Sequence, residues 1–220
     1  MKNLNLSTKL LLLVSLSIVG FMASIAFGLG QLRSSMLLDR EVSTQHVVEV
    51  AHGIVAKFQS AEAEGKMTHA EAQQAALAAL RTLRYGENEY FFINDMHSRM
   101  LMHPIKPELE GKDMSGFKDP DGKRFFAEFS ETVRKQGKGF IDYKWPKPGK
   151  AEPVMKISYV EGFQPWGWII GSGIYIDDVD DAFLDGMLKQ TGITLISIGL
   201  MVVLEYLGYR MCRKIMTIDI

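Results

Sequence analysis

Residues Glu89–Asn94 read EYFFIN, and they mark the point where a helical sequence gives way to a sheet. Aromatic and β-branched residues fill this run, and the turn residues Asn94-Asp95 follow it, a pattern typical of a strand that ends in a hairpin. Arg99–His103 (RMLMH) supplies a partner strand. Three later runs have the same character: Gly137–Trp145, Val154–Val160 and Trp166–Ile176. The sequence therefore predicts about five antiparallel strands.

Helical patterns precede this sheet and interrupt it once. Apolar residues recur in steps of three and four within Gln31–Gln59, which indicates a long helix. Thr68 and Glu71 resemble a capping box that opens a second helix, Thr68–Arg84. A third, short helix is predicted over Lys123–Lys135. The order predicts an α+β domain with a central antiparallel sheet and a long N-terminal helix.

Two apolar segments lie outside this domain. Leu10–Leu29 has twenty residues without a charge, and at about 1.5 Å per residue a helix of that length crosses the hydrocarbon core of a bilayer. A cleaved signal peptide with a basic start at Lys2 and Lys9 is the alternative. Thr191–Tyr209 carries one acid, Glu205, and is interpreted as a second span, with a buried core helix as the alternative.

The distribution of charge orients the chain. Residues 31–190 hold 20 Lys and Arg against 24 Asp and Glu, whereas the two ends together hold five basic residues and two acids. Basic residues that flank apolar spans stay in the cytoplasm. We therefore predict a cytoplasmic N-terminus (1–9), two transmembrane helices (10–31 and 190–209), an exported domain (32–189) and a short cytoplasmic tail (210–220).

Composition and motifs argue against several classes of function. The net charge is −1. This near-neutral balance argues against nucleic-acid binding, which usually needs a concentrated basic face. A single cysteine, Cys212, excludes an intramolecular disulfide, and the five histidines lack zinc-binding spacing. The sequence contains neither a G-x-S-x-G nucleophile motif nor a phosphate-binding loop. We therefore expect no catalytic residues, no cofactor, no metal and no enzyme activity.

Nine short runs, in order and spacing, resemble a known family, the single Cache domain in its second subfamily. These runs are Tyr90-Phe-Phe-Ile-Asn-Asp95, Met102-His-Pro104, Gly111-Lys-Asp113, Phe117-x-Asp-Pro120, Gly139-Phe-x-x-Tyr143, Lys144-Trp-Pro146, Lys156-Ile-Ser-Tyr159, Trp166-Gly-Trp168 and Gly171-x-Gly-Ile-Tyr175. The resemblance covers about residues 35–185. Its fold would be PAS-like, in agreement with the α+β prediction.

The resemblance implies a function and a location. Such domains are the extracytoplasmic sensors of bacterial methyl-accepting chemotaxis receptors and of some histidine kinases. It thus implies a two-span protein of the bacterial inner membrane, embedded in lipid, with a periplasmic sensor, acting as a homodimer. Family receptors continue into a cytoplasmic signalling part, which these 220 residues lack; a fragment and a natural short form both stay open.

A ligand pocket is expected among the aromatic strands, because sensor pockets combine apolar walls with a few polar groups. Lys156 alternates with apolar residues, so it either points to solvent or charges this pocket. The predicted ligand-binding residues are Tyr90, Phe92, His103, Tyr143, Trp145, Lys156 and Tyr159. Similar domains bind short monocarboxylates, so we expect acetate, propionate, pyruvate or lactate, with Lys156 as the cationic partner.

Five functional interpretations are compared. The first is a transmembrane chemoreceptor that passes its signal through the second span. The alternatives are the sensor portion of a membrane histidine kinase and a truncated receptor without output. A membrane-anchored enzyme is disfavoured by the missing catalytic motifs, and a passive adaptor would lack a cavity of ligand size.

Overall fold

The structure, a computed structural model, describes residues 6–86 and 88–216. Lys2 and Asp219, which enter the charge count above, lie outside these residues. The described part of the chain contains four α-helices and six strands. In chain order these are α1 (Leu6–Ala63), α2 (His69–Thr82), β1 (Arg84–Tyr85), β2 (Glu89–Asp95), β3 (Met100–Met102), α3 (Phe125–Gln136), β4 (Lys138–Pro146), β5 (Pro153–Phe163), β6 (Trp168–Tyr175) and α4 (Ile176–Met216).

The chain divides into two compact units, Ser34–Val179 and a unit formed by residues 6–33 with residues 180–216. Two helical stretches are long and apolar enough to cross a membrane: Ser15–Ala63, with a mean hydropathy of 1.6, and Thr194–Met211, with 1.3. The apolar windows of both are exposed rather than buried in protein.

The unit Ser34–Val179 is built on an antiparallel sheet. Its strand order is β1-β2-β6-β5-β4, and β3 also pairs with β2. The longest pairing joins β4 to β5, where Tyr143 lies opposite Lys156. On the other side of β5, Lys156 lies opposite Tyr175 of β6. One register thus brings residues from three strands into a single row.

The two faces of the sheet carry separate hydrophobic clusters. Val48 and Val55 of α1 and Leu80 of α2 pack on one face, where they meet Phe91 and Tyr159. The opposite face is covered by α3, and its cluster contains Phe92, Phe125, Phe129, Tyr143, Trp145 and Val160. Because neighbouring residues in a strand point to opposite faces, Phe91 and Phe92 enter different clusters.

The predicted α+β architecture is confirmed, with small differences at the ends of elements. Thr68 and Glu71 form the expected capping box: the Thr68 N–H donates to Glu71 Oε2 at 2.8 Å, and the Glu71 N–H donates to Thr68 Oγ1 at 3.3 Å. The two-residue strand β1 was not expected, because Tyr85 was interpreted as the end of the second helix. Such a short strand has no periodic pattern to reveal it.

Candidate ligand-binding site

Three strands place Lys156, Tyr143 and Tyr175 side by side. Directly opposite residues in an antiparallel sheet point to the same face, so all three side chains lie on the face covered by α3. Gly173 makes room for them: a Cβ there would stand 2.2 Å from Ser158 Oγ and 2.9 Å from Lys156 Cε. The Lys156 side chain therefore passes through space that only a glycine leaves open.

Lys156 is a fully buried lysine that makes no ion pair with the residues that the structure describes. Its side chain is 0% exposed, and its Nζ has no hydrogen-bond partner among the residues that the structure describes. The ammonium instead lies against two aromatic rings, 4.2 Å from the centroid of Tyr90 and 4.7 Å from that of Tyr175. Cation–π contacts recover only part of the hydration lost on burial, so this position favours an incoming anion.

A small cavity of about 10 Å³, room for roughly one water molecule, lies beside this lysine. Its walls are almost entirely aromatic and come from β2, β4, α3 and the segment after β3: Tyr90, Phe92, His103, Phe125, Phe126, Tyr143 and Trp145. Lys156 is not itself a wall residue; Tyr90 borders both the cavity and the ammonium. The Tyr143 hydroxyl is 2.9 Å from Ser158 Oγ, which places a second polar pair on this face of the sheet.

His103 lies in this cavity as a neutral donor. Its Nδ1 accepts the backbone N–H of Lys106 at 3.0 Å, so the neutral ring carries its proton on Nε2. Burial, reinforced by the positive charges of Lys156 and Lys106, lowers the pKa of His103 to about 3. The imidazole is therefore uncharged at any physiological pH and offers one N–H to a ligand.

The position of His103 depends on an ion pair that the sequence did not reveal. The His103 backbone N–H donates to Glu110 Oε1 at 2.9 Å. Arg81 of α2 holds that carboxylate with two parallel hydrogen bonds of 2.7 and 2.8 Å, and its donation lowers the pKa of Glu110. The bidentate geometry fixes the segment after β3 against α2.

Glu89 is a second buried ionisable group near the start of α4. Its Oε2 is buried without a hydrogen-bond partner in the described part of the chain. Burial raises its pKa to about 7, with Asp178 adding to the effect and Lys156 and Lys147 opposing it. The carboxyl therefore changes its protonation near neutral pH.

The structure brings six of the seven predicted site residues together. Tyr90, Phe92, His103, Tyr143 and Trp145 surround the cavity, and Lys156 contacts Tyr90.

Tyr159 does not belong with them, and its prediction is corrected. It lies three positions after Lys156 in β5, so its side chain points to the opposite face of the sheet. There it packs in the cluster formed with α1 and α2, and its ring centroid lies 4.8 Å from that of Phe140.

Several residues of the site were missed from the sequence. Phe125 and Phe126 were placed correctly on a helix, but helical spacing does not say which cavity a helix covers. Tyr175 ends one of the nine family-like runs, and only its pairing with Lys156 distinguishes it from the other aromatic residues of the strands. Arg81 and Glu110 are 29 positions apart, and no local pattern links them.

Comparisons of sequence identify the family to which this fold belongs. The family described as Single Cache domain 2 matches residues 36–189. The methyl-accepting chemotaxis protein McpP of Pseudomonas putida is 40% identical over 200 residues, which are 89% of this chain and 37% of McpP. The sensor histidine kinase MctS of Rhizobium johnstonii is 37% identical over 108 residues, 49% of this chain and 23% of MctS. The chain thus spans little more than a third of McpP.

Solved structures give the same result. A periplasmic sensor domain of a chemotaxis protein is 52% identical, with a TM-score of 0.63, and covers 64% of this chain and 97% of its own. A Cache chemosensory domain solved for its carboxylic acid recognition is 50% identical, with the same TM-score and the same coverage. With a family match over residues 36–189, this chain belongs to the Single Cache domain 2 family of chemoreceptor sensor domains.

Proposed function

We propose that this chain is the sensing part of a two-span chemoreceptor of the bacterial inner membrane. In this proposal residues 10–31 and 190–209 cross the lipid bilayer, residues 32–189 face the periplasm, and both ends lie in the cytoplasm. Support comes from the two exposed apolar helical stretches and from the excess of basic residues at the ends.

The ligand that we propose is a short monocarboxylate, of the acetate, propionate, pyruvate or lactate class. The buried Lys156 ammonium carries this proposal, because it lacks an anionic partner among the described residues and lies against a wall of the cavity. A carboxylate would supply the missing charge and accept hydrogen bonds from Nζ. The neutral His103 N–H and the Tyr143 hydroxyl are further donors, and the aromatic walls suit a short aliphatic chain.

The carboxylic acid recognition of the 50%-identical Cache domain supports the same class of ligand. The structure of that domain matches this chain with a TM-score of 0.63 over 64% of the residues. The cavity is also small, so its walls must move apart to admit even a short acid, which disfavours ligands as large as purines.

We propose that the signal leaves the domain through the first turn of α4. Tyr175 ends β6 and the next residue, Ile176, begins α4, so no loop separates the site from the helix. The Tyr175 hydroxyl donates to the Pro146 carbonyl at 3.0 Å, and Lys147 Nζ lies 2.7 Å from Asp177 Oδ2. A ligand that shifts Tyr175 would therefore move the start of α4, and shifts of ~1–2 Å are typical of such switches.

The sensor portion of a histidine kinase is the second candidate, and the match to MctS is the observation that favours it. That match spans 49% of this chain, whereas the match to the chemotaxis protein McpP spans 89%. We therefore propose a chemotaxis output, with a homodimer as the working unit. The coding sequence downstream of Ile220 distinguishes the two readings: a methyl-accepting coiled coil supports the first and a kinase domain supports the second.

Calorimetry on the full chain in lipid nanodiscs tests the proposed ligand. Acetate, propionate, pyruvate and lactate are titrated separately, and Lys156→Gln is the test variant. We expect at least one acid to bind the parent and its affinity to fall by about 30-fold or more in the variant, because the buried charge partner is lost. Amino acids or purines that bind in place of these acids would contradict the proposal.

A further inference from the structure

The cavity raises the question of how a ligand reaches it, since its walls are nearly closed to solvent. His103, Phe126 and Tyr90 are all buried, and Trp145 is only 4% exposed. A ligand from the periplasm must therefore displace a wall residue before it meets Lys156. The residue that moves must border both the cavity and an open surface.

Trp145 has this double position. Its outer side borders an open groove of about 420 Å³ between the segment after β3 and the β4–β5 hairpin. The groove is lined by Lys106, Phe117, Lys118, Asp119, Pro120, Lys144, Trp145, Pro146, Ala151 and Pro153. Trp145 alone among the described residues lines both this groove and the cavity, so it forms the partition between them.

Phe117 completes the partition from the groove side. Its ring makes edge-to-face contacts, with its centroid 5.7 Å from those of Trp145 and Phe125 and 5.9 Å from that of Phe126. All three of those residues are cavity walls, yet Phe117 itself is 37% exposed. Phe117 lines the groove and lies outside the strands and helices, so an outward rotation of its ring would require no strand to move.

The charges around the groove suit an anion. Lys106 and Lys118 have no carboxylate within ion-pair distance in the described part of the chain, and Lys106 Nζ lies 5.0 Å from the Trp145 ring. Lys144 is paired with Asp121. The remaining groove acid, Asp119, is tied to the backbone N–H groups of residues 121, 123 and 144. The residues that line the groove thus carry a net positive charge, three lysines against the one carboxylate of Asp119.

We propose that this groove is the entrance of the ligand, in which Lys106 and Lys118 collect the carboxylate and Phe117 and Trp145 open to admit it. The inference rests on the proposed function, because it takes the same small carboxylate as the molecule in transit. Charge at the rim acts on the association rate, whereas the partition controls association and dissociation together.

Exchange rates of carboxyl-¹³C propionate, measured by NMR relaxation dispersion on the full chain in nanodiscs, test this proposal. Lys106→Gln combined with Lys118→Gln should lower the association rate about three- to tenfold at low salt and leave the dissociation rate unchanged. At about 0.5 M NaCl the difference should disappear, because screening shortens the range of the two charges. The matched control, Lys57→Gln combined with Lys112→Gln, removes two exposed lysines away from the groove and should change neither rate.

Phe117→Ala tests the partition. Both rates should rise by a common factor of about three or more, with the dissociation constant changed by less than about twofold. Phe140→Ala is its control, since Phe140 is similarly exposed, at 40%, but lies outside the groove and the cavity. Rates that stay at parental values in both test variants, while propionate still binds, would overturn the entrance and leave the proposed function intact. If propionate does not bind the parent at all, the proposed function fails first.

Discussion

Replacing Lys156 by methionine should change stability and ligand binding in opposite directions. Methionine has a similar length and an unbranched chain, so it can occupy the path over Gly173 without the charge. The parent buries an ammonium that lies against the rings of Tyr90 and Tyr175 and has no hydrogen-bond partner among the described residues. Removing a buried charge of this kind is expected to stabilise the folded domain, while the same change removes the charge partner of the ligand.

The magnitudes follow from the burial of Lys156. Apolar replacement of buried ionic groups stabilises by about 1–4 kcal/mol in favourable cases. For a domain of this size, about 2–4 °C of melting temperature correspond to each kcal/mol. Loss of the buried charge pair should cost about 2–5 kcal/mol of binding, or roughly 30- to 4,000-fold in the dissociation constant.

Thermal unfolding followed by tryptophan fluorescence measures both effects. All three tryptophans lie between residues 145 and 168, so the signal reports on the sensor domain. The parent should gain about 2.7 kcal/mol at a propionate concentration 100 times its dissociation constant. Lys156→Met should melt at a higher temperature than the parent and show no shift with propionate.

The exposed residue Lys112 provides the control, since Lys112→Met should leave the melting temperature and the propionate shift unchanged. A Lys156→Met variant that melts lower than the parent and keeps its propionate shift would refute both the cost of the buried charge and its role.

Three further predictions concern pH and space. The pKa of Glu89 is raised to about 7 from 4.5, so its contribution to the stability of the domain is lost as the pH rises through 7. Glu89→Gln should therefore stabilise the domain by up to about 3 kcal/mol at pH 8 but not at pH 4. The pKa of His103 is lowered to about 3 from 6.5, so stability falls as the pH drops from 6.5 towards 3; His103→Gln should flatten this part of the profile of denaturation midpoint against pH. Gly173→Ala should lower the melting temperature and weaken propionate binding because its Cβ would collide with Ser158, whereas Gly116→Ala, with nothing within 4 Å, should do neither.

Much of the fold was predictable because its strands are long and rich in aromatic and β-branched residues. The composition of runs such as Glu89–Asp95 and Lys138–Pro146 is enough to predict a strand. The Thr68 capping box predicts the start of α2 to within one residue. Element ends were less accurate, since the first and last residues of a strand depend on pairing with distant partners.

The site was less predictable because it depends on which face a strand turns to the cavity. The alternation of side chains along β5 places Lys156 and Tyr159 on opposite faces of the sheet. Only the register with β4 and β6 shows that Lys156 lies beside Tyr143 and Tyr175. The proton position on His103 depends on a single backbone N–H, that of Lys106, which no sequence motif encodes. These contacts depend on how the strands pair and on the path of the backbone after β3, so only the three-dimensional structure reveals them.

We propose that the domain recognises the negative charge of a short carboxylate. Calorimetric titration of the full chain in nanodiscs with propionate and with propionamide, its neutral amide of nearly equal size, separates recognition of charge from recognition of shape. We predict saturable binding of propionate at one site per chain and no detectable binding of propionamide at the same concentrations, because only the anion compensates Lys156. Equal affinities for the acid and the amide would contradict the account.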